Sequence, residues 1–195
     1  MTTEKGSSSS LELLFSDITQ QVTLHSQQLP PVHLWNPDKT GDMDLLIDRE
    51  GRWIHEGREI KRQAMVKLFS RILVYEQGSF FLVTPVEKWQ INVTVAPFFI
   101  TQATRQTRNS EQIICLQTKT EDPVIVSSDY PIIMDSNIAQ GETLPLVRVR
   151  DNLMGLISRS VYYQLIDWGY QVADSTGGNQ LVIDSMGGSF SLGEF

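Results

Sequence analysis

The stretch LFSRILVYEQ, Leu68 to Gln77, returns as LISRSVYYQL, Leu156 to Leu165. Aligned on Arg71 and Arg159, the two decamers share Leu, Ser, Arg and Tyr, and most other positions are chemically close. A chain that carries one amphipathic segment twice divides most simply into two related halves. Met65, Leu68, Phe69, Ile72 and Leu73 form a stripe of helical period within residues 58–76, which Gly78 ends. Leu153, Leu156, Ile157, Val161 and Leu165 form another over about Asp151 to Asp167. Two readings stand: an internal duplication with hairpin–helix–hairpin in each half, or two core helices whose patterns coincide.

The remaining segments alternate turns with β-rich runs. DLLIDREGRWIHEG reads as two short strands around a turn at Arg49-Glu50-Gly51, and SFFLVTP with EKWQINVTV as a hairpin bent at Thr84-Pro85. From Ala96 to Val149 the runs PFFITQ, QIICLQT, PVIVSS, YPIIM and LPLVRV are all strand-like. The last residues, GYQVADSTGGNQLVIDSMGGSFSLGEF, place strands around glycine-rich turns. Upstream, residues 1–8 form a polar leader. Ser9-x-x-Glu12 then reads as a capping box for a helix at about residues 10–26, with Leu11, Leu14, Phe15, Ile18 and Val22 on one face. LPPVHLWNPDKTGD follows, its three prolines excluding a regular helix. The fold class is α+β.

At 195 residues the chain is long enough to bury a sizeable core. No apolar run approaches the ~20 residues that span a bilayer, and the N-terminus shows no secretion signal. The single cysteine, Cys115, excludes an internal disulfide and fits a cytoplasmic location. A net charge of −7 argues against nucleic acid and anionic membranes as partners, since both select a cationic surface.

Several long motifs together carry a resemblance. PPVHLWNP, GDMDLLIDREGRWIHEGREIKR, LFSRIL, FFLVTPVEKWQINV, APF, VRVRDNLMGLISRSVYYQL and the closing GGSFSLG occur in that order, over about residues 30–193. The sequence closely resembles the bacterial family catalogued as domain of unknown function 1285. The resemblance implies two domains built by duplication, with a C-terminal half similar to pleckstrin-homology folds. It also implies a ligand site between the halves, for a nucleotide-like molecule, and a role in signal transduction. It supplies no catalytic residues. This chain departs from the family where relatives carry an acidic VEDAPF-like stretch: it reads VTVAPF, Val93 to Phe98. The corresponding division is residues 1–30 as leader and helix, 31–91 as an N-terminal α+β domain, and 92–195 as a C-terminal pleckstrin-homology-like domain.

Reactive residue types are sparse. Cys115 lies between Ile113, Ile114 and Leu116, without the cations or helix N-terminus that activate a thiolate, and reads as a buried structural thiol. His25, His33 and His55 lack the spacing of a zinc site. His55 shares a strand face with Trp53, as core lining or as a stacking surface for a ligand. Asp42, Asp44 and Asp48 read as a solvated acidic turn, because the later glycine and glutamate of a calcium loop are missing. SMGGSFSLG fits neither G-x-G-x-x-G nor G-x-S-x-G and reads as a tight hairpin.

The arginines carry the most information. In the two helical stripes Arg71 and Arg159 occupy the same phase, and Arg62 and Arg150 superpose likewise. Either all four are solvated, or they converge on a shared interface and bind phosphate or carboxylate through their guanidinium forks. In the second case Trp53, His55, Trp89, Tyr162 and Tyr163 are the stacking partners. The expected function is therefore a sensor or regulatory module that binds a small anionic ligand. A protein-interaction scaffold is the alternative, and an enzyme the third reading. Neither a metal nor a cofactor is required by the residues.

Overall fold

The computed structural model describes residues 29–139, 141–173 and 178–194. The expected leader and the helix at 10–26 lie outside the described residues. The chain is mostly β and forms two compact units: residues up to Leu46 with Trp53–Asn92, and Ile47–Arg52 with Val93–Phe195. The helical share is smaller than the α+β expectation, because both expected helices are about half the length that their apolar stripes suggest.

In the first unit, β1 (Lys39–Ile47), β2 (Trp53–His55) and β3 (Arg58–Glu59) precede helix α1 (Gln63–Arg71). The meander β4 (Leu73–Glu76), β5 (Ser79–Val83) and β6 (Glu87–Val93) follows, and one sheet runs β3-β2-β1-β6-β5-β4. Helix α1 buries Met65, Val66, Leu68 and Phe69, and the Phe69 ring meets Trp53 at 6.2 Å between centroids. Each such side chain contributes about 1.5–3 kcal/mol by leaving water. Gln77 and Gly78, at φ 50° and 83°, make the two-residue turn between β4 and β5. Thr84 closes the next turn, its Oγ1 accepting from the amides of Val86 and Glu87.

In the second unit, β7 (Phe98–Arg108), β8 (Glu111–Thr118), β9 (Pro123–Ile125), β10 (Ile132–Ala139), β11 (Glu142–Arg150) and β12 (Leu153–Ile157) form a sheet of order β10-β11-β12-β7-β8-β9. Its pairs are antiparallel except β12 with β7, which is parallel. Helix α2 (Arg159–Trp168) then leads into a separate three-stranded sheet, β13 (Tyr170–Ala173), β14 (Asn179–Ser185) and β15 (Gly188–Glu194). Met186 and Gly187, at φ 51° and 73°, make the tight hairpin expected of SMGGSFSLG.

Both sheet faces of β12 are covered, so its apolar residues run consecutively instead of alternating. That explains why Leu153, Leu156 and Ile157 mimic a helical stripe although they are strand. Gly155 settles the choice locally: a Cβ there would stand 3.0 Å from Ile100 Cδ1 and from Val149 Cγ2. The helix begins only after Ser158, whose Oγ accepts from the Val161 amide as an N-cap.

The decamers are therefore not a structural repeat. Leu68–Gln77 runs from helix into strand, whereas Leu156–Leu165 runs from strand into helix. Arg71 is the last residue of α1 and Arg159 the first of α2; Arg62 is an N-cap and Arg150 lies in β11. The matched phase of these arginines does not exist. What the units share is element order, namely a strand hairpin, a helix and a three-stranded meander. The helices correspond at their N-caps, Arg62 and Ser158, which stand 96 positions apart instead of the 88 between Arg71 and Arg159. On that alignment buried Met65 matches Val161, and Phe69 matches Leu165. The sheets still differ, because the meander joins β1 in the first unit and forms its own sheet in the second.

Candidate functional site: a cleft in the second unit

The turn between β1 and β2 is built by one carboxylate. Asp48 is buried, its Oδ1 accepting from the amides of Glu50 at 3.0 Å and Arg52 at 2.8 Å, while its Oδ2 meets Arg52 Nε at 2.6 Å. Gly51 completes the turn at φ 66°, where a Cβ would lie 2.6 Å from the Phe99 Cβ. Asp48 is thus a turn organiser and no part of a solvated cluster, although Asp42 and Asp44 are exposed as expected. The turn presents Arg49, whose Nη2 donates to Glu142 Oε1 at 2.6 Å.

Arg49 and Glu142 stand at the rim of a cleft of about 560 Å3 within the second unit. Its walls are Phe99, Leu144, Pro145 and Leu156; Arg159, Tyr162 and Tyr163 from the start of α2 lie on its edge. Leu144 and Leu156 are buried and Phe99 half-buried, in a small core with Ala96 and Leu146 on one face of the sheet. Hydrogen bonding from Arg49 holds the Glu142 carboxyl below its ordinary range, against the opposing effect of burial, and the charges of Arg49 and Arg159 act in the same direction. The same bond holds Arg49 above its ordinary value. Arg159 is exposed and, among the described residues, has no hydrogen-bond or ion-pair partner. Burial pushes the Tyr162 phenol up, with a smaller push from Tyr163, and its hydroxyl donates to the Leu192 carbonyl. Tyr163 is more than half exposed.

Of the nine residues singled out in the sequence, Arg159, Tyr162 and Tyr163 come together on this cleft, and the others do not line it. Trp53 is buried against Phe69, so it is core lining. His55 Nδ1 bonds the Asp44 carbonyl at 2.8 Å, and its buried Nε2 has no partner. Trp89 packs over Gly41, donates from Nε1 to Glu87 at 3.0 Å and lies beneath Lys39 Nζ, 5.1 Å from the ring centroid. The Arg150 guanidinium stacks on Phe98 at 4.9 Å. Arg62 and Arg71 belong to the two ends of α1. Cys115 is on β8 but on its outer face, between inward-facing Ile114 and Leu116, and is only half-buried. Sequence reading missed Arg49 and Glu142, which lie 93 positions apart. The one local signal was the glycine turn DREG.

No curated protein matches the chain. Two solved structures resemble it. A DUF1285 family protein from Silicibacter pomeroyi DSS-3 is 39% identical with a TM-score of 0.77, over 88% of this chain and 91% of that one. A second DUF1285 family protein, from Shewanella baltica OS155, is 21% identical with a TM-score of 0.51, over 64% of this chain and 91% of that one, and is a likeness of fold alone. The family model for the N-terminal domain of DUF1285, a domain of unknown function, matches residues 30–96, and that for the C-terminal domain matches residues 97–192. With both domain models matched in order along the chain, the protein belongs to the DUF1285 family.

Proposed function

We propose that the protein is a small-ligand-binding sensor or regulatory protein, acting in the cytoplasm, and that the cleft of its second unit takes an anionic ligand. The observation that carries this reading is Arg159: a guanidinium with no hydrogen-bond or ion-pair partner among the described residues, at the edge of a cleft with apolar walls. The cleft volume is in the range of small-molecule sites, about 300–1,000 Å3. Arg159 is also the first residue of a ten-residue helix, whose N-terminal dipole favours an anion. The pleckstrin-homology-like reading of this unit belongs to the same proposal, supported by its two sheets and single helix.

A thermal-shift screen with nucleotides, phosphorylated metabolites and carboxylates tests the reading. A ligand at a hundred times its Kd stabilises by about 2.7 kcal/mol. For a chain of this size that is roughly 5–10 °C in Tm. The shift should shrink as salt screens the charge pair, and Arg159→Ala, by weakening the ligand about tenfold or more, should cut it to about half or less while leaving the ligand-free Tm unchanged. A screen without any shift, or a shift indifferent to Arg159, would rule the cleft out as the site.

A further inference from the structure

Most charges around the cleft are already matched. Arg49 is held by Glu142 at 2.6 Å, and Glu50 lies 3.4 Å from Arg52, whose Nε is bonded to Asp48. Arg159 is the one guanidinium lining the cleft that, among the described residues, has no hydrogen-bond or ion-pair partner. Below the rim the surface is apolar, formed by Leu144, Leu156, Pro145 and Phe99. One unbonded guanidinium above an apolar wall complements one carboxylate on an apolar body. A polyphosphate would bring several charges towards Glu50 and Glu142, and juxtaposed like charges oppose binding. The rim also holds a carboxylate of its own: Glu142 sits in the field of both Arg49 and Arg159. A second carboxylate of the right reach competes with it for the same guanidinium groups.

We propose that this cleft binds a small monocarboxylate with an apolar body, its carboxylate taken by Arg159 beside the Arg49–Glu142 pair and its body laid against Leu144 and Leu156. The proposal rests on the reading of the cleft as an anion site and narrows it to a chemical class. Glu142 acts as an internal competitor. It belongs to the rim and not to the apolar wall, so it weakens every carboxylate that enters without shaping which body fits.

The experiment is a titration of the full chain with sodium octanoate, and separately with ATP, followed through the methyl resonances of Leu144 and Leu156 at low salt. Octanoate is expected to shift both. Arg159→Ala should weaken octanoate by about tenfold or more, the size of a lost charge-assisted hydrogen bond. Glu142→Gln should tighten it by about two- to fivefold, the size of one exposed charge pair. Movement of these methyl groups by ATP and not by octanoate would overturn the monocarboxylate and leave the cleft as an anion site. Silence with both probes would overturn both ideas. Octanoate binding that ignores Arg159, or that Glu142→Gln weakens, would overturn the assigned geometry.

Discussion

Ser185 Oγ donates to the Val126 carbonyl at 2.7 Å from a side chain with no exposed surface. The same oxygen accepts from the Ile114 amide at 3.0 Å. One hydroxyl thus ties the three-stranded sheet of the second unit to β8 and to the residue that follows β9, and it bonds two main-chain groups at once. Ser185→Ala would leave both unpaired. An unsatisfied buried polar group costs about 1–3 kcal/mol, so two cost about 2–6 kcal/mol and the Tm should fall by at least roughly 4 °C at about 2–4 °C per kcal/mol. An unchanged melting curve would mean that the sheets are not joined through this contact.

Gly51 and Gly78 separate two costs of replacing a glycine. Both have positive φ, 66° and 83°, but a Cβ at Gly51 meets Phe99 at 2.6 Å, whereas nothing lies within 4 Å of one at Gly78. Gly78→Ala should cost only the left-handed backbone penalty, about 1–2 kcal/mol. Gly51→Ala should cost more, because Phe99 must also move, and it should weaken any ligand of the cleft that Phe99 walls. Equal denaturation midpoints for the two variants would show that Phe99 yields freely.

Tyr162 should report its burial by titration. Its phenol is raised above the ordinary value of 10.0, first by burial and then by Tyr163. The neutral form is therefore favoured by folding. That contribution is complete below the unfolded pKa and is lost as pH rises through the folded one. Ultraviolet titration of the native protein should show a step above the ordinary tyrosine range, and Tyr162→Phe should remove it. A native titration that Tyr162→Phe leaves unchanged would contradict the placement of Tyr162.

Cys115 should react with a thiol reagent in the folded protein. Alternation along β8 turns Ile114 and Leu116 inward and leaves Cys115 half-buried on the other face. One label per chain should attach without denaturant and with little change in Tm. Labelling that waits for unfolding would restore the fully buried thiol read from the flanking isoleucines and leucine.

The strands and turns were legible in the sequence because their signals are local. DREG, Thr84-Pro85 and SMGGSF all mark turns where they were expected. Helix boundaries were not. Leu153, Leu156 and Ile157 fall at helical spacing, yet they belong to a strand covered on both faces, where periodicity no longer separates strand from helix. Ile72 likewise caps α1, and Leu73 opens a strand whose inward residue continues the helical stripe by coincidence. The error propagated to the site: the arginine symmetry assumed two equivalent helical positions, and Arg71 and Arg159 lie at opposite ends of their helices. Arg159, Tyr162 and Tyr163 were singled out on that symmetry, and they meet on the cleft for a different reason: they share the start of α2. Arg49 and Glu142 were out of reach, since only the folded chain brings them to 2.6 Å.

A crystal structure of the protein with the anion that shifts Tm most would test the central claim most directly. The account predicts the acid group of that anion within about 3.2 Å of the Arg159 guanidinium, with its body against Leu144 and Leu156. An anion found instead against Arg62 or Arg71, with the cleft at Arg159 unfilled, would contradict it.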